Sequence, residues 1–181
     1  FVKKIMKDLE SYDPIYIIHS DHGEGFGEHG FYMHGFIRNK TVYLYEELIH
    51  IPIVVYNADM RGRIEEPVSL LGLSPTILEM IGEIYEFPSK SFTDNSIWAV
   101  IRAVENGKIR VAVRMKDWKF ITGQKNVDEL YNLKDDPDET ENLISEHPAL
   151  ARELKEVAKR QIRYELENRR IREASKKIKT L

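Results

Sequence analysis

The 181-residue sequence contains no cysteine, which excludes disulfides, thiolate metal sites and a cysteine nucleophile within it. Long hydrophobic runs are also missing. Stretches such as Ile51-Pro-Ile-Val-Val-Tyr56 fall far short of the roughly 20 apolar residues that a bilayer-crossing helix needs, so no membrane span is expected. There is no low-complexity tract. The start has neither an initiator Met nor a signal-peptide pattern. Phe1-Val-Lys-Lys-Ile-Met-Lys7 reads as the last turns of a helix already under way, and the expectation is the C-terminal part of something longer. Absent cysteine does not fix the compartment; the missing signal peptide favours the cytoplasm. What is present, 42% hydrophobic and 31% charged residues, suffices for an ordinary globular core.

The charge is uneven. From Lys159 onward nine Lys or Arg face three Glu, although the whole chain is −3. A basic end invites a nucleic-acid or membrane reading. Interspersed acids, and no aromatic platform for stacking bases, favour instead a solvated helix whose cations suit its C-terminal dipole. No nucleic-acid partner is therefore expected.

The rest of the chain is organised around residues 20–34, where Ser20-Asp-His-Gly-Glu24 leads through glycines at 25, 27 and 30 to His34. Ile15-Tyr-Ile-Ile18 runs straight into it, the pattern of a short buried strand ending near Asp21 and His22. Carboxylate and imidazole at the C-terminal end of a parallel strand are how α/β enzymes present metal ligands. Adjacent side chains on a strand point to opposite faces, so the two converge on one ion only if the strand has ended, which Gly23 permits. Three of the six histidines fall between positions 22 and 34, with Glu24 and Glu28 beside them. Turn chemistry alone accounts for Asp-His-Gly and Glu28-His29-Gly30. The sharper alternative is an imidazole near a metal, donating to an anionic substrate oxygen.

The remaining elements follow from periodicity. Val2, Ile5, Met6 and Leu9 share a helical face, and Tyr45-Glu-Glu-Leu-Ile49 reads as a short helix. Ile53-Val-Val-Tyr56 reads as a second buried strand. Ser74 and Pro75, with Gly82 at the far end, punctuate a helix between them. Residues 83–107 give no clear signal. Ile109–Arg114 and Trp118–Thr122 alternate like an antiparallel hairpin, Glu129–Leu133 suggests a third strand, and a helix is expected from Pro148 to about Lys179 with Leu150, Leu154, Val157, Ala158 and Ile162 on its apolar face. The expected fold class is α/β carrying a small antiparallel subdomain and a long C-terminal helix, divided into residues 1–107 and 108–181. The acidic run Asp135–Glu141 lacks the central glycine and spacing of a calcium loop and reads as a structural turn.

Several of these stretches together resemble the C-terminal motif run of the sulfatase family, within the alkaline phosphatase superfamily. They are Ser20-Asp-His-Gly-Glu24, Gly27-Glu-His-Gly30, His34-Gly35 and Leu44-Tyr-Glu-Glu-Leu-Ile-His-Ile-Pro-Ile-Val-Val55. The likeness continues through Ser69–Gly82, Ala112–Ile121 and Glu129–Leu143, in the family's order. It implies the C-terminal part of an alkaline-phosphatase-like mixed sheet. It also implies a metal bound by Asp21 and His22, and a sulfate oxygen contacted by His34. Calcium is the family's usual ion, while a His ligand leaves manganese, zinc or magnesium open. His29, Glu24 and Glu28 are expected to shape the loop or support ligands, with no chemistry of their own.

The family's nucleophile, a formylglycine made from Cys or Ser, has no counterpart here, nor do the N-terminal aspartates of its metal site. The loop Phe36–Val42 is longer than the family norm. The resemblance therefore implies a fragment of a hydrolase that cleaves small-molecule or saccharide sulfate esters, inactive in isolation and too poor in ligands for tight metal binding. The missing N-terminal half of the same protein is its expected partner, and exposed apolar faces would favour a homo-oligomer. A phosphodiesterase, phosphonate hydrolase or phosphomutase of the same superfamily, and a non-enzymatic binding or assembly module, are the alternatives.

Overall fold

The computed structural model describes residues 1–34, 43–83, 87, 89–94, 97–105, 108–124 and 127–178. The expected long loop at Phe36–Val42 lies outside them.

The C-terminal part is the better packed. Four antiparallel strands, β5 (Trp98–Glu105), β6 (Lys108–Met115), β7 (Trp118–Gln124) and β8 (Val127–Asn132), lie in sequence order. The expected hairpin is β6–β7, in register Val113 to Phe120. Period-2 alternation sends Val111, Val113, Phe120 and Leu130 to one face, where Ala151, Leu154, Val157 and Ala158 of α4 (Pro148–Ile178) cover them. These eight side chains are buried, and each large one contributes about 1.5–3 kcal/mol by leaving water. The apolar face of α4 is the one its periodicity names, with Leu150 and Ile162 packed at its margin. Proline suits the first helical position, where its missing N–H costs nothing.

β5 fills much of the stretch that gave no clear signal. Trp98 and Val100 lean toward the α4 side while Ile101 and Ala103 join the opposite cluster, so the strand is apolar on both faces and shows no alternation.

The other face of the sheet is also covered, and by the N-terminal part. Leu44, just ahead of α2 (Glu46–Ile49), packs with Ala112, Ile121 and Tyr131. Lys119 lies on this face and is fully buried. Its Nζ is 2.5 Å from Glu139 and 3.1 Å from Glu46, and Glu46 also meets Arg114 at 3.1 Å. Burial disfavours the Glu46 carboxylate, but Lys119 and Arg114 outweigh it and hold its pKa below the usual value. Burial pushes Glu139 upward against the pull of the same lysine. Glu139 also accepts the Glu46 backbone N–H, at 2.6 Å. The run Asp135–Glu141 is the structural turn expected of it: Asp136 accepts the Thr140 and Glu141 N–H groups, both at 2.9 Å.

The N-terminal part departs from expectation in three ways. β1 (Tyr16–His19) pairs with β4 (Ile53–Tyr56) antiparallel, not parallel, in register Ile17 to Val55. The only α-helix between them among the described residues, α2, has four residues, so no long helix carries the chain across the sheet as in a βαβ unit. Both strands were expected to be buried, yet Ile18 is 43% and Val54 54% exposed. So is the apolar side of α1 (Val2–Asp8), and Ile81 beyond α3 (Leu73–Met80). Finally, α3 starts at Leu73 directly after a 3-10 turn at Leu70–Gly72, and it is Ser69, not Ser74, whose hydroxyl caps that turn. Among the described residues no helix is long and apolar enough to cross a membrane.

Lys119 answers the buried Glu139 and shares Glu46 with Arg114, so its removal leaves the Glu139 carboxylate uncompensated. Lys119→Met is expected to cost about 3–5 kcal/mol of unfolding free energy in urea titration, with Glu139→Gln in the same chain recovering part of the loss. A Lys119→Met chain as stable as the parent would contradict the role assigned to this network.

Candidate functional site

β1 delivers the chain to Asp21 and His22, and the segment after it is fixed by close backbone contact with α2. Gly23 donates to the Leu48 carbonyl at 2.8 Å, and a Cβ on Gly23 would lie 1.9 Å from the Glu47 carbonyl oxygen. Only glycine allows this approach. Beyond it, β2 (Gly25–Phe26) and β3 (Tyr32–Met33) form a two-residue ladder that folds the loop back and returns His34 to His22.

The rings of His22 and His34 are 4.8 Å apart. Glu24 joins them, its Oε2 3.5 Å from His34 Nδ1. Ligand atoms of His22, Glu24 and His34 all lie within 4.8 Å of one another. The ring of His22 has a defined polarity. Its Nδ1 is 2.7 Å from the Gly23 carbonyl, which can only accept, so Nδ1 carries the hydrogen and the neutral ring keeps its lone pair on Nε2. That backbone bond, with Asp21 and Glu24 nearby, raises the His22 pKa. The Oε1 atom of Glu24 is buried and accepts no hydrogen bond. A lone pair on an imidazole and an unpartnered carboxylate oxygen beside a second imidazole are a donor set that fits a divalent ion.

The structure thus brings His22 and His34 together and adds Glu24, which the sequence alone marks only as a residue that shapes the loop or supports a ligand. Asp21 sits beside His22 but stands apart from this trio. Its side chain is 87% exposed, with one oxygen accepting the His22 N–H and the other 3.7 Å from His22 Nε2. The signal for Glu24 was available: it is the acidic residue two positions after His22, just ahead of the glycines at 25, 27 and 30 that let the loop fold back.

His29 lies in the same loop but is built for another task. Its Nδ1 meets Glu47 Oε1 at 2.8 Å and its Nε2 meets the Glu139 carbonyl at 3.2 Å. Both partners are acceptors, so both ring nitrogens carry hydrogen when both bonds are made, and the ring is then an imidazolium. It stacks on Tyr45 at 3.7 Å, beside the parallel pair Phe31–Tyr43 at 4.1 Å. The backbone of His29 is left-handed (φ 53°), a conformation that non-glycine residues hold only when their surroundings impose it. Glu139, its partner across the chain, is left-handed too, at φ 52°. Through this pair the loop is fastened to the turn that also carries the Lys119 network. Tyr45 reaches the same sheet: its hydroxyl donates to Glu129, and burial beside that carboxylate pushes its pKa up to about 12.

Neither a family model nor a curated protein sequence matches the chain. Solved structures do. BT1596, described as a 2-O GAG sulfatase, is similar with a TM-score of 0.74 at 19% identity, over 90% of this chain and 40% of that one. BT4656, solved with its substrate D-glucosamine-2-N,6-O-disulfate, gives 0.65 at 21% identity, over 88% and 37%. The phosphonate monoester hydrolase of Agrobacterium radiobacter gives 0.66 at 16% identity, over 87% and 36%. The chain therefore has the fold of the C-terminal part of these sulfatase and phosphonate monoester hydrolase structures, and spans about two fifths of their length.

Burial alone would lower the His29 pKa, but Glu47, the Glu139 carbonyl and the Glu139 charge outweigh it, and the net shift is upward from 6.5. A raised pKa means the stabilisation is complete below about 6.5 and is lost as pH climbs through the folded-state value. The melting temperature of the parent should therefore fall more between pH 6 and pH 8.5 than that of His29→Gln, measured by calorimetry. Parallel profiles for the two proteins would show that the imidazolium does not hold the loop.

Proposed function

We propose that this chain supplies part of the metal and substrate site of a sulfatase-like hydrolase that cleaves sulfate esters with a divalent ion. The observation that supports it most is the return of His34 to His22 at the end of β1, beside Asp21, in a chain with the fold of sulfatase C-terminal parts. In this reading Asp21 and His22 hold the ion and His34 donates to an oxygen of the ester. The bound ion would supply charge stabilisation for oxygens that gain negative charge as the ester bond breaks. Calcium is the first choice by family resemblance. Manganese, zinc or magnesium would serve the same role. A saccharide sulfate is the substrate class, by analogy with the disulfated glucosamine bound by BT4656.

The nucleophile has to come from outside these residues, since the sequence has no cysteine and no serine in the family's context. The proposed partner is accordingly the other part of the same protein. The exposed apolar sides of α1, β1 and β4 are the kind of surface such a part would cover. A homo-oligomer would cover them too. On its own, the chain is proposed to have no turnover.

A second reading has a specific support, the likeness to a phosphonate monoester hydrolase. Sulfate monoesters and phosphodiesters both present a singly charged tetrahedral centre, so the same donors serve either. The test uses protein captured from its source cells with an antibody to residues 129–143. Hydrolysis of an aryl sulfate, abolished by chelator and lowered about 100-fold or more by His34→Ala, is the expected result. Hydrolysis of phosphodiesters or phosphonate monoesters in its place would select the second reading. A captured species of 21.2 kDa, inert toward all three, would leave a binding module.

A further inference from the structure

We propose that Glu24 is a metal ligand, completing with His22 and His34 a two-histidine, one-carboxylate site for a transition-metal ion. This rests on the reading of the loop as a metal site, and not on which ester is cleaved. Three independent features converge. The donor atoms of the three residues already lie within 4.8 Å of one another, close enough for small side-chain rotations to bring them onto one ion. The Nε2 lone pair of His22 is fixed by the hydrogen bond from Nδ1 to the Gly23 carbonyl, the second bond that ligating histidines habitually make. Glu24 buries a carboxylate oxygen with no hydrogen-bond partner, which is costly unless a cation answers it.

The donor chemistry decides the class of ion. Calcium and magnesium seek shells of oxygen, with calcium taking about 6–8. Two imidazoles and one carboxylate suit zinc, cobalt or manganese, and three protein ligands leave a position open for a water or an anionic substrate oxygen. In this arrangement one ring nitrogen of His34 holds the ion while the N–H of the other donates to the ester oxygen. Asp21, whose Oδ2 is 3.7 Å from His22 Nε2, adds a further oxygen ligand to the same ion.

The test is titration of the purified full chain with Zn²⁺ and with Co²⁺, followed by calorimetry and by visible absorption. Parent, Glu24→Gln, Asp21→Asn and His22→Ala chains are compared, each checked for unchanged circular dichroism. The supporting partners behind metal ligands are worth about 10–100-fold in affinity, and a direct ligand should be worth no less. Glu24→Gln is therefore expected to weaken Zn²⁺ by at least about tenfold and to change the Co²⁺ spectrum, whether or not Asp21→Asn weakens it as well. Binding that depends on Asp21 and His22 but is untouched by Glu24→Gln would overturn the proposal and leave the two-ligand reading above in place. Failure of the parent to bind either ion would also overturn it, while the ester assay on the captured protein decides the function separately.

Discussion

Lys119 is the constraint on which the rest of the structure depends. It sits at the start of β7, on the face that looks toward the N-terminal part, and it is fully buried. A buried ammonium is tolerated only when paired, and here the pairs come from two distant segments, Glu46 at the head of α2 and Glu139 in the turn before α4. Arg114 supplies a second cation to Glu46, so that two cations face two carboxylates. Such a network adds less to stability than an apolar core of equal size would. Its value is in fixing which surface docks on the sheet, because any other register leaves a charge buried alone. α2 is thereby set in place, and the Gly23 contact with α2 sets the loop. His29, bonded to Glu47 and to the backbone of Glu139, closes the circuit. The position of His22, Glu24 and His34 is in this sense a consequence of charges in the C-terminal sheet.

The elements legible in the sequence are those whose two faces differ. β6 and β7 alternate, α4 carries one apolar stripe behind Pro148, and the turn at Asp136 is made of residues that bond their own backbone. β5 was not legible because both of its faces are apolar, which removes the period-2 contrast. Lys119 misleads for a related reason. Between Trp118 and Phe120 it reads as the wet side of an alternating strand, whereas that side lies under α2. The exposed faces of α1, β1 and β4 show the reverse case, apolar patterns that this chain does not bury.

The candidate site was half legible. Clustered histidines and glycines after an apolar run marked the loop, and His22 and His34 do meet. What the sequence could not convey was the division of labour among residues of one type. His29 is committed to two acceptors and a ring stack, which leaves no nitrogen for a ligand. Glu28 accepts the Phe26 N–H and shapes the loop, while Glu24 is turned inward toward the imidazoles. Those differences depend on the left-handed backbone at His29 and on the short ladder between β2 and β3, neither of which composition reveals.

The loop held by the buried charge network is proposed to gather its side chains around a metal ion. Anomalous diffraction at the zinc edge, from crystals of the full chain grown with zinc, tests it most directly. A single strong peak in the loop is expected, within bonding distance of His22, Glu24 and His34. A loop without a peak, or zinc held only by scattered surface carboxylates, would contradict it.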